Sequence, residues 1–218
     1  MGTGEVHPLS AGLPPADAHI ALASLPYRLG LAEAGGPWWR GPYLTAGGDA
    51  AGRGKGGDLR VGLVWAGDPR HPNDARRSVA PAALEPLLDV AGVRWFGLQT
   101  GVRANETEGT RWRHRLADPS PPLADFAATA TALAGLDLLI TVDTAAAHLA
   151  GAMGRPAWVM LPAVDCDWRW GETGETTAWY PSLRLFRQGA DGDWAGVVAA
   201  LAAALREQFV EEGAHRHP

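Results

Sequence analysis

The fold of this 218-residue chain is decided by the stretch LLITVDTAAAHLAGAMGRP, residues 138–156. Its apolar, β-branched beginning at 138–142 predicts a buried parallel strand, because strands covered on both faces are almost continuously apolar. An alanine-rich helix follows at once, and Gly154 and Pro156 predict where it ends. The next apolar run, residues 157–161, predicts a second buried strand. Together they predict a strand–helix–strand unit of an open α/β sheet, in which ligands bind at the carboxyl ends of the strands.

The turn between this strand and its helix is suited to phosphate. Asp143 or Thr144 is expected to cap the helix, which leaves the backbone amides of Thr144, Ala145 and Ala146 facing outward. Free amides at the positive end of a helix dipole bind phosphate groups. His148 follows one turn later on the same face and can add a hydrogen bond or a charge. The alternative interpretation is an ordinary capped crossover helix with a histidine at its edge.

The segment from Val142 to Pro156 resembles the donor-binding signature of the family-9 (heptosyltransferase-like) glycosyltransferases. More closely, it resembles the glycosyltransferase domain that follows tetratricopeptide repeats in many bacterial proteins. The resemblance covers residues 59–205, and its further motifs are VGLVWAG at 61–67, RRS at 76–78, LQ at 98–99, DF at 125–126, DWRW at 167–170 and WYP at 179–181.

This resemblance implies a Rossmann-like three-layer α/β domain, equivalent to the C-terminal, nucleotide-sugar-binding lobe of a GT-B glycosyltransferase. The order of strands and helices supports the α/β class independently. We predict a nucleotide-sugar-binding domain at residues 58–208, followed by a polar tail at 209–218. Residues 1–57, rich in Gly and Pro, are interpreted as a partly disordered linker or the remnant of an N-terminal lobe. A simple disordered tail is the alternative for that stretch.

The composition limits the classes of function and the cellular compartments that fit this chain. The net charge of −5 argues against a general nucleic-acid binder, whose surface is usually basic. A single cysteine, Cys166, excludes an internal disulfide and fits a reducing cytoplasm. The start of the chain lacks a signal-peptide pattern, and no apolar run approaches the roughly 20 residues that span a bilayer. We therefore expect a soluble, cytoplasmic protein without a nucleic-acid partner.

The loop after the first predicted strand, which ends at Trp65, contributes a second group of candidates. Gly67 permits close approach of a ligand to the backbone, and Arg76 and Arg77 carry forked donors suited to phosphate. An arginine pair in a loop is also commonly just solvated. The resemblance places a basic residue against the donor diphosphate here, and Arg77 is our choice for it.

Two further positions follow the next strand and open a helix. The amide of Gln99 can read the edge of a ribose or base, although relatives have Gln-Lys-Gly where this chain has Gln99-Thr100-Gly101. Asp125 is a weaker candidate. The resemblance places this segment near the nucleotide, but a carboxylate in a first helical turn is also favoured by the helix dipole alone. Residues 102–115 are interpreted as a mobile, charged loop without assigned chemistry.

The loop after residue 161 is suited to a sugar. Trp168 can stack on the C–H face of a sugar ring while Asp167 and Arg169 bond to its hydroxyls. Aromatic residues in loops also serve as hydrophobic anchors, and that alternative stays open. The candidate nucleotide-sugar-binding residues are thus Trp65, Gly67, Arg77, Gln99, Asp143, Thr144, Ala145, His148, Asp167, Trp168 and Arg169.

The predicted function is transfer of a sugar from a nucleotide sugar to an unknown acceptor. The enzyme must neutralise the departing diphosphate, which the helix amides, His148 and Arg77 can do without a metal ion or a further cofactor. Expected partners are a protein or glycan acceptor, and a separate lobe or tetratricopeptide-repeat protein, since the chain has too few residues to build the opposing lobe. The alternatives are a nucleotide-sugar-binding module that catalyses nothing by itself, and a nucleotide-sugar epimerase.

Overall fold

The computed structural model describes residues 58–214, with side chains to 208, together with residues 39–47, 24–30 and scattered positions between 10 and 21. The chain divides into two compact units, residues 1–37 and 38–218. In the described part of the first unit, a four-residue helix, α1, spans Leu25–Arg28. Much of the predicted linker at 1–57, and the end of the predicted tail, lie outside the described residues.

The second unit is built on six parallel strands. They are β1 Leu59–Val64, β2 Val93–Gly97, β3 Leu116–Ala117, β4 Leu138–Val142, β5 Ala157–Leu161 and β6 Leu183–Arg187. Their order across the sheet is β3-β2-β1-β4-β5-β6, and every neighbouring pair is parallel. All five residues of β4 are buried, as the apolar run predicted. The predicted α/β class is confirmed, and the sheet is consistent with a Rossmann-like fold.

Helices cover both faces of the sheet and make two cores. On one face lie a 3₁₀ turn at Pro81–Leu84, the helix α3 at Glu85–Leu88 and the long helix α6 at Trp194–Ala214. On the other lie α4, Phe126–Ala134, and α5, Ala145–Ala152. Pro86 is tolerated in the first turn of α3, where no backbone donor is needed. The backbone of α6 continues six residues into the predicted tail.

The segment expected to be a mobile loop, 102–115, is ordered by burial. It contains 3₁₀ turns at Gly101–Thr107 and Arg113–Arg115. Trp112 is only 2% exposed and packs edge-on against Trp65, with ring centroids 6.4 Å apart. Because most neighbours of Trp112 in the sequence are charged or polar, the sequence pattern alone predicted a mobile loop and not a segment held by a buried tryptophan.

Residues 39–47 run across the carboxyl end of α5. The amides of Tyr43 and Leu44 both donate to the carbonyl oxygen of Ala152, at 3.0 and 3.2 Å. Gly154 ends the helix with φ +65°, and a Cβ there would lie 2.9 Å from Pro42 Cγ. Glycine is therefore required by both the backbone and the packing. Within the described residues no helix has the length and apolar character needed to cross a membrane.

Candidate functional site

A cleft of about 830 Å³ opens at the carboxyl ends of β1, β2 and β4. This volume lies within the range of small-ligand sites, roughly 300–1,000 Å³. The sheet order reverses between β1 and β4, which is where open parallel sheets bind ligands. Five of the predicted site residues line it: Gly67, Arg77, Gln99, Thr144 and Ala145.

The first turn of α5 faces this cleft without a side-chain cap. Thr144 occupies the N-cap position, but its Oγ1 is 3.1 Å from Thr141 Oγ1 and makes no capping bond. The Asp143 carboxylate is buried instead, where it accepts a 2.8 Å hydrogen bond from Trp170 Nε1. The prediction that either side chain caps the helix is therefore wrong. The helix start is left open to a ligand anion, since no side chain occupies that role.

Arg77 is fixed beside this helix start. It belongs to α2, Asp74–Arg77, and its Nη1 donates to the backbone oxygen of Asp143 at 2.9 Å. The guanidinium lies directly over Gly67, where an added Cβ would come within 2.3 Å of Arg77 Nη2. The absence of a side chain at Gly67 thus leaves room for the guanidinium of Arg77, a residue of the protein itself. The result is a guanidinium held at the point where the β1 loop meets the β4 turn.

Arg76 has a different environment from its neighbour. Its side chain is 63% exposed and forms an ion pair with Asp165. The backbone oxygen of Asp165 also accepts from Asn73 Nδ2 at 3.0 Å. Arg76 therefore links the loop after β1 to the loop after β5, and it does not line the cleft.

Gln99 lines the cleft, but its amide is engaged by backbone groups. Its Oε1 accepts from the amides of Trp65 and Ala66 at 3.1 and 2.9 Å. Its Nε2 donates to the carbonyl oxygens of Ala66 and Thr100 at 3.0 and 3.3 Å. Both donors and both acceptor positions are thus used. In this arrangement Gln99 fastens the end of β1 to the end of β2.

Trp65 does not reach the cleft with its side chain. It is 2% exposed and lies in the core on the same face as Leu63 and Val61. Side chains alternate along an extended chain, so this odd-numbered position faces inward with the other two. Its Nε1 donates to Glu106 Oε2 at 3.2 Å.

Two charged residues around the cleft, Asp74 and Arg103, were not singled out from the sequence, and Ser78 was noted only as part of the RRS motif. Asp74 is buried and pairs with Arg77 and with Arg103. Ser78 Oγ donates to Asp74 Oδ1 at 2.9 Å. The spacing of Asp74 from Arg77 fits one helical turn and was a usable signal. No such signal pointed to Arg103, because its ion pair with Asp74 depends on how two distant segments fold.

His148 lies in an aromatic cluster and does not line the cleft. Its ring stacks on Trp170 with centroids 4.8 Å apart and planes 17° from parallel, and Tyr180 meets it edge-on at 5.8 Å. Burial lowers the pKa of His148 below its usual value, while Asp143 and Asp167 oppose this shift and Arg169 adds to it. The cluster connects to the cleft through Asp143, whose side chain bonds to Trp170 and whose backbone bonds to Arg77.

The three candidate sugar residues are brought together beside this cluster. Asp167 caps the 3₁₀ turn Trp168–Trp170 and pairs with Arg169 at 2.8 Å. The Arg169 guanidinium lies 4.7 Å from the ring centre of Trp168, which is 51% exposed. None of the three lines the cleft itself. Among the described residues, no group of three or more His, Cys, Asp and Glu side chains is placed to hold a metal ion.

The environment of His148 predicts how the stability of the fold depends on pH. Because its pKa is lowered on folding, the unfolded chain binds more protons below pH 6.5, and the free energy of unfolding falls as the pH drops. His148→Gln should show a shallower fall between pH 8 and 5, measured as the urea midpoint. The matched control is His114→Gln, at an exposed histidine. Equal slopes in wild type and His148→Gln would contradict the assignment.

The comparisons with known proteins are sparse. Protein FlbA of Caulobacter vibrioides is 32% identical to this chain over 156 residues, which are 68% of this chain and 25% of FlbA. The matched part of the chain thus spans about a quarter of the length of that curated relative. No family model matches the chain, and no solved structure matches it.

Proposed function

We propose that this domain binds a nucleotide sugar in the cleft at the carboxyl ends of β1, β2 and β4. In this proposal it is the donor-binding lobe of a GT-B, family-9-like glycosyltransferase. One observation carries the proposal: Arg77 and the uncapped start of α5 meet at the same wall of the cleft. A guanidinium beside free helix amides is a favourable environment for a diphosphate.

The other end of the cleft suits a nucleoside. Phe126, 64% exposed, and Val102, 79% exposed, both line the cleft. An exposed aromatic ring and an aliphatic side chain can cover the two faces of a nucleobase. The Asp125 carboxylate, beside Phe126, caps α4 by accepting from the amide of Ala128 at 2.7 Å. We therefore place the base at α4 and the diphosphate at α5.

The proposed chemistry is electrostatic. As the glycosidic bond of the donor breaks, negative charge develops on the leaving diphosphate, and preorganised donors at that point lower the barrier. Arg77 and the α5 amides supply such donors. The sugar would then extend toward Asp167, Trp168 and Arg169, which adjoin the site through Asp143 and Trp170. The second candidate function is a binding module that holds the same ligand without transferring the sugar, because the described residues form a single sheet.

The proposal is tested first by thermal shift with UDP-, GDP-, ADP- and dTDP-sugars and the matching nucleoside diphosphates. A ligand present at 100 times its dissociation constant stabilises the folded protein by about 2.7 kcal/mol. A shift with one nucleotide class, absent with the corresponding nucleoside, is the expected result. The absence of a shift with every member of the panel would overturn the proposal.

Ala145→Glu is expected to weaken nucleotide diphosphate binding at least tenfold, which is about 1.4 kcal/mol. Ala145 is exposed in the first turn of α5, so the new carboxylate would face the ligand anion. A glutamate at a helix start is favourable for the helix, so the fold should persist. Calorimetry provides the measurement. The control is Ala195→Glu, an exposed alanine in the first turn of α6 and away from the cleft; equal losses in both variants would refute the placement.

Arg77→Lys should bind nucleotide diphosphate roughly tenfold or more weakly than wild type, because lysine cannot reproduce the planar fork. The bond to the Asp143 backbone would be lost as well. Arg76→Lys is the matched control, since Arg76 is exposed and pairs with Asp165. Calorimetry under identical salt compares the two. Comparable losses would indicate a general basic surface and not a site at Arg77.

A further inference from the structure

Two arginines from separate segments line the same cleft and share one buried carboxylate. Arg77 lies in α2 and Arg103 in the turn Gly101–Thr107, and their side chains are 13% and 23% exposed. Asp74, 4% exposed, lies between them. Its Oδ1 is 3.7 Å from Arg77 Nε, and its Oδ2 accepts a hydrogen bond from Arg103 Nη2. The two guanidiniums are therefore held together by one carboxylate.

Further hydrogen bonds fix the positions of Asp74 and Arg103. Asp74 Oδ1 accepts from Ser78 Oγ at 2.9 Å, which orients the carboxylate. Arg103 Nη1 donates to Glu106 Oε1 at 2.8 Å, while Glu106 Oε2 accepts from the buried Trp65 Nε1 at 3.2 Å. Since Trp65 belongs to the core, the position of Arg103 is tied to the core as well. Side chains that are fixed before binding lose little entropy when a ligand arrives.

We propose that Arg103 and Arg77 form a two-guanidinium clamp for the diphosphate group, and that Asp74 is the residue that positions both. The choice of ligand rests on the proposed function. A guanidinium has five N–H donors in a plane, so two of them can bind several phosphate oxygens at once. Arg103 uses one bond each to Asp74 and Glu106, and its Nε has no partner among the described residues.

The carboxylates of Asp74 and Glu106 also affect which anions the clamp selects. Asp74 and Glu106 offset the charges of the two arginines, so this wall of the cleft is not a broad positive field. Recognition must then depend on donor geometry more than on net charge. Such a site discriminates a diphosphate from a simple anion such as chloride, because only the former matches two forks at once.

The experiment is calorimetric titration of the full chain with inorganic pyrophosphate and with ADP, GDP and UDP. Arg103→Gln should reduce affinity for pyrophosphate at least tenfold, and Arg103→Lys should recover only part of it. Arg111→Gln is the matched control, because Arg111 lies in the same segment, is 70% exposed and pairs with Glu85 outside the cleft. Unchanged pyrophosphate affinity in Arg103→Gln, or no binding of pyrophosphate by wild type, would overturn the clamp.

Asp74→Asn tests the positioning role separately. The amide keeps the size of the carboxylate and an acceptor for Ser78, but loses the charge that holds the two arginines. A mere counter-charge role predicts tighter pyrophosphate binding, since the cleft becomes more positive, whereas the positioning role predicts binding at least threefold weaker. Ser78→Ala, which frees the carboxylate from its hydroxyl, should weaken binding in the same direction and serves if Asp74→Asn does not fold. Tighter or unchanged binding in the folded variant overturns the positioning role.

The two ligand types keep this inference separate from the proposed function. Pyrophosphate binding that depends on Arg103, without binding of any nucleoside diphosphate, supports the clamp and overturns the nucleotide proposal. Nucleoside diphosphate binding that depends on Arg77 but not on Arg103 supports the nucleotide proposal and overturns the clamp.

Discussion

Incubated by itself with a nucleotide sugar that it binds, the 218-residue chain is expected to transfer no sugar over multiple turnovers. The described residues form a single six-stranded sheet, with the proposed donor-binding cleft at its carboxyl edge. That sheet is the one sheet among the described residues, so the described part of the chain supplies no second α/β lobe to face the cleft. Without an opposing wall the acceptor hydroxyl is not oriented, and orientation is worth roughly 7–11 kcal/mol of the barrier.

This expectation is checked by following nucleotide release and sugar incorporation separately, with a broad acceptor extract. Slow hydrolysis of the donor is expected to remain, because Arg77 and the α5 amides still stabilise the leaving diphosphate. Ala145→Glu is the control, since its weaker donor binding should reduce that residual release. Incorporation over many turnovers by the purified chain would contradict the expectation and would imply that residues 1–57 or a second copy build the missing wall.

Trp170→Ala is expected to lower the free energy of unfolding by about 3–5 kcal/mol, the usual cost of removing a buried aromatic side chain. Trp170 is 1% exposed, stacks on His148, and donates from Nε1 to the buried Asp143 carboxylate. The variant loses the packing and leaves a buried carboxylate without its donor. Because Asp143 also anchors Arg77, ligand affinity should fall together with stability.

Urea unfolding measures the loss, and two variants separate its causes. Trp170→Phe keeps a ring against His148 but removes the indole donor, so it should lose about 1–3 kcal/mol. Trp168→Ala is the matched control, since Trp168 is 51% exposed in the same turn and should change stability by less than about 1 kcal/mol. Equal effects of the two alanine variants would contradict the core role of Trp170.

The predicted strands illustrate how far the sequence pattern extends. The runs at 138–142 and 157–161 became β4 and β5 with the same limits, because a strand buried on both faces must be apolar throughout. The two-residue strand β3 was not predicted, since Leu116–Ala117 is too short to show any period. The prediction of a mobile loop at 102–115 was also wrong, because the buried Trp112 is surrounded in sequence by charged residues.

The features of the candidate site that depend only on the direction of the strands were predictable. Turns after parallel strands meet at one edge of the sheet, so Gly67, Arg77 and Thr144 were expected at a common cleft and all line it. The orientation of individual side chains was not predictable. Trp65 turned into the core, and His148 stacked on Trp170, whose position depends on a loop more than twenty residues away in the chain.

The sequence by itself therefore determined the α/β class, the buried strands and the edge of the sheet at which the cleft opens, because these follow from local periodicity and from chain direction. Only the tertiary structure decided which polar groups share that edge. Asp74 and Arg103 meet because two loops fold over the ends of β1 and β2, and the Asp143 carboxylate turned toward Trp170 instead of capping α5. Such choices depend on competition between partners that are distant in the chain, where burial makes every unpaired charge costly.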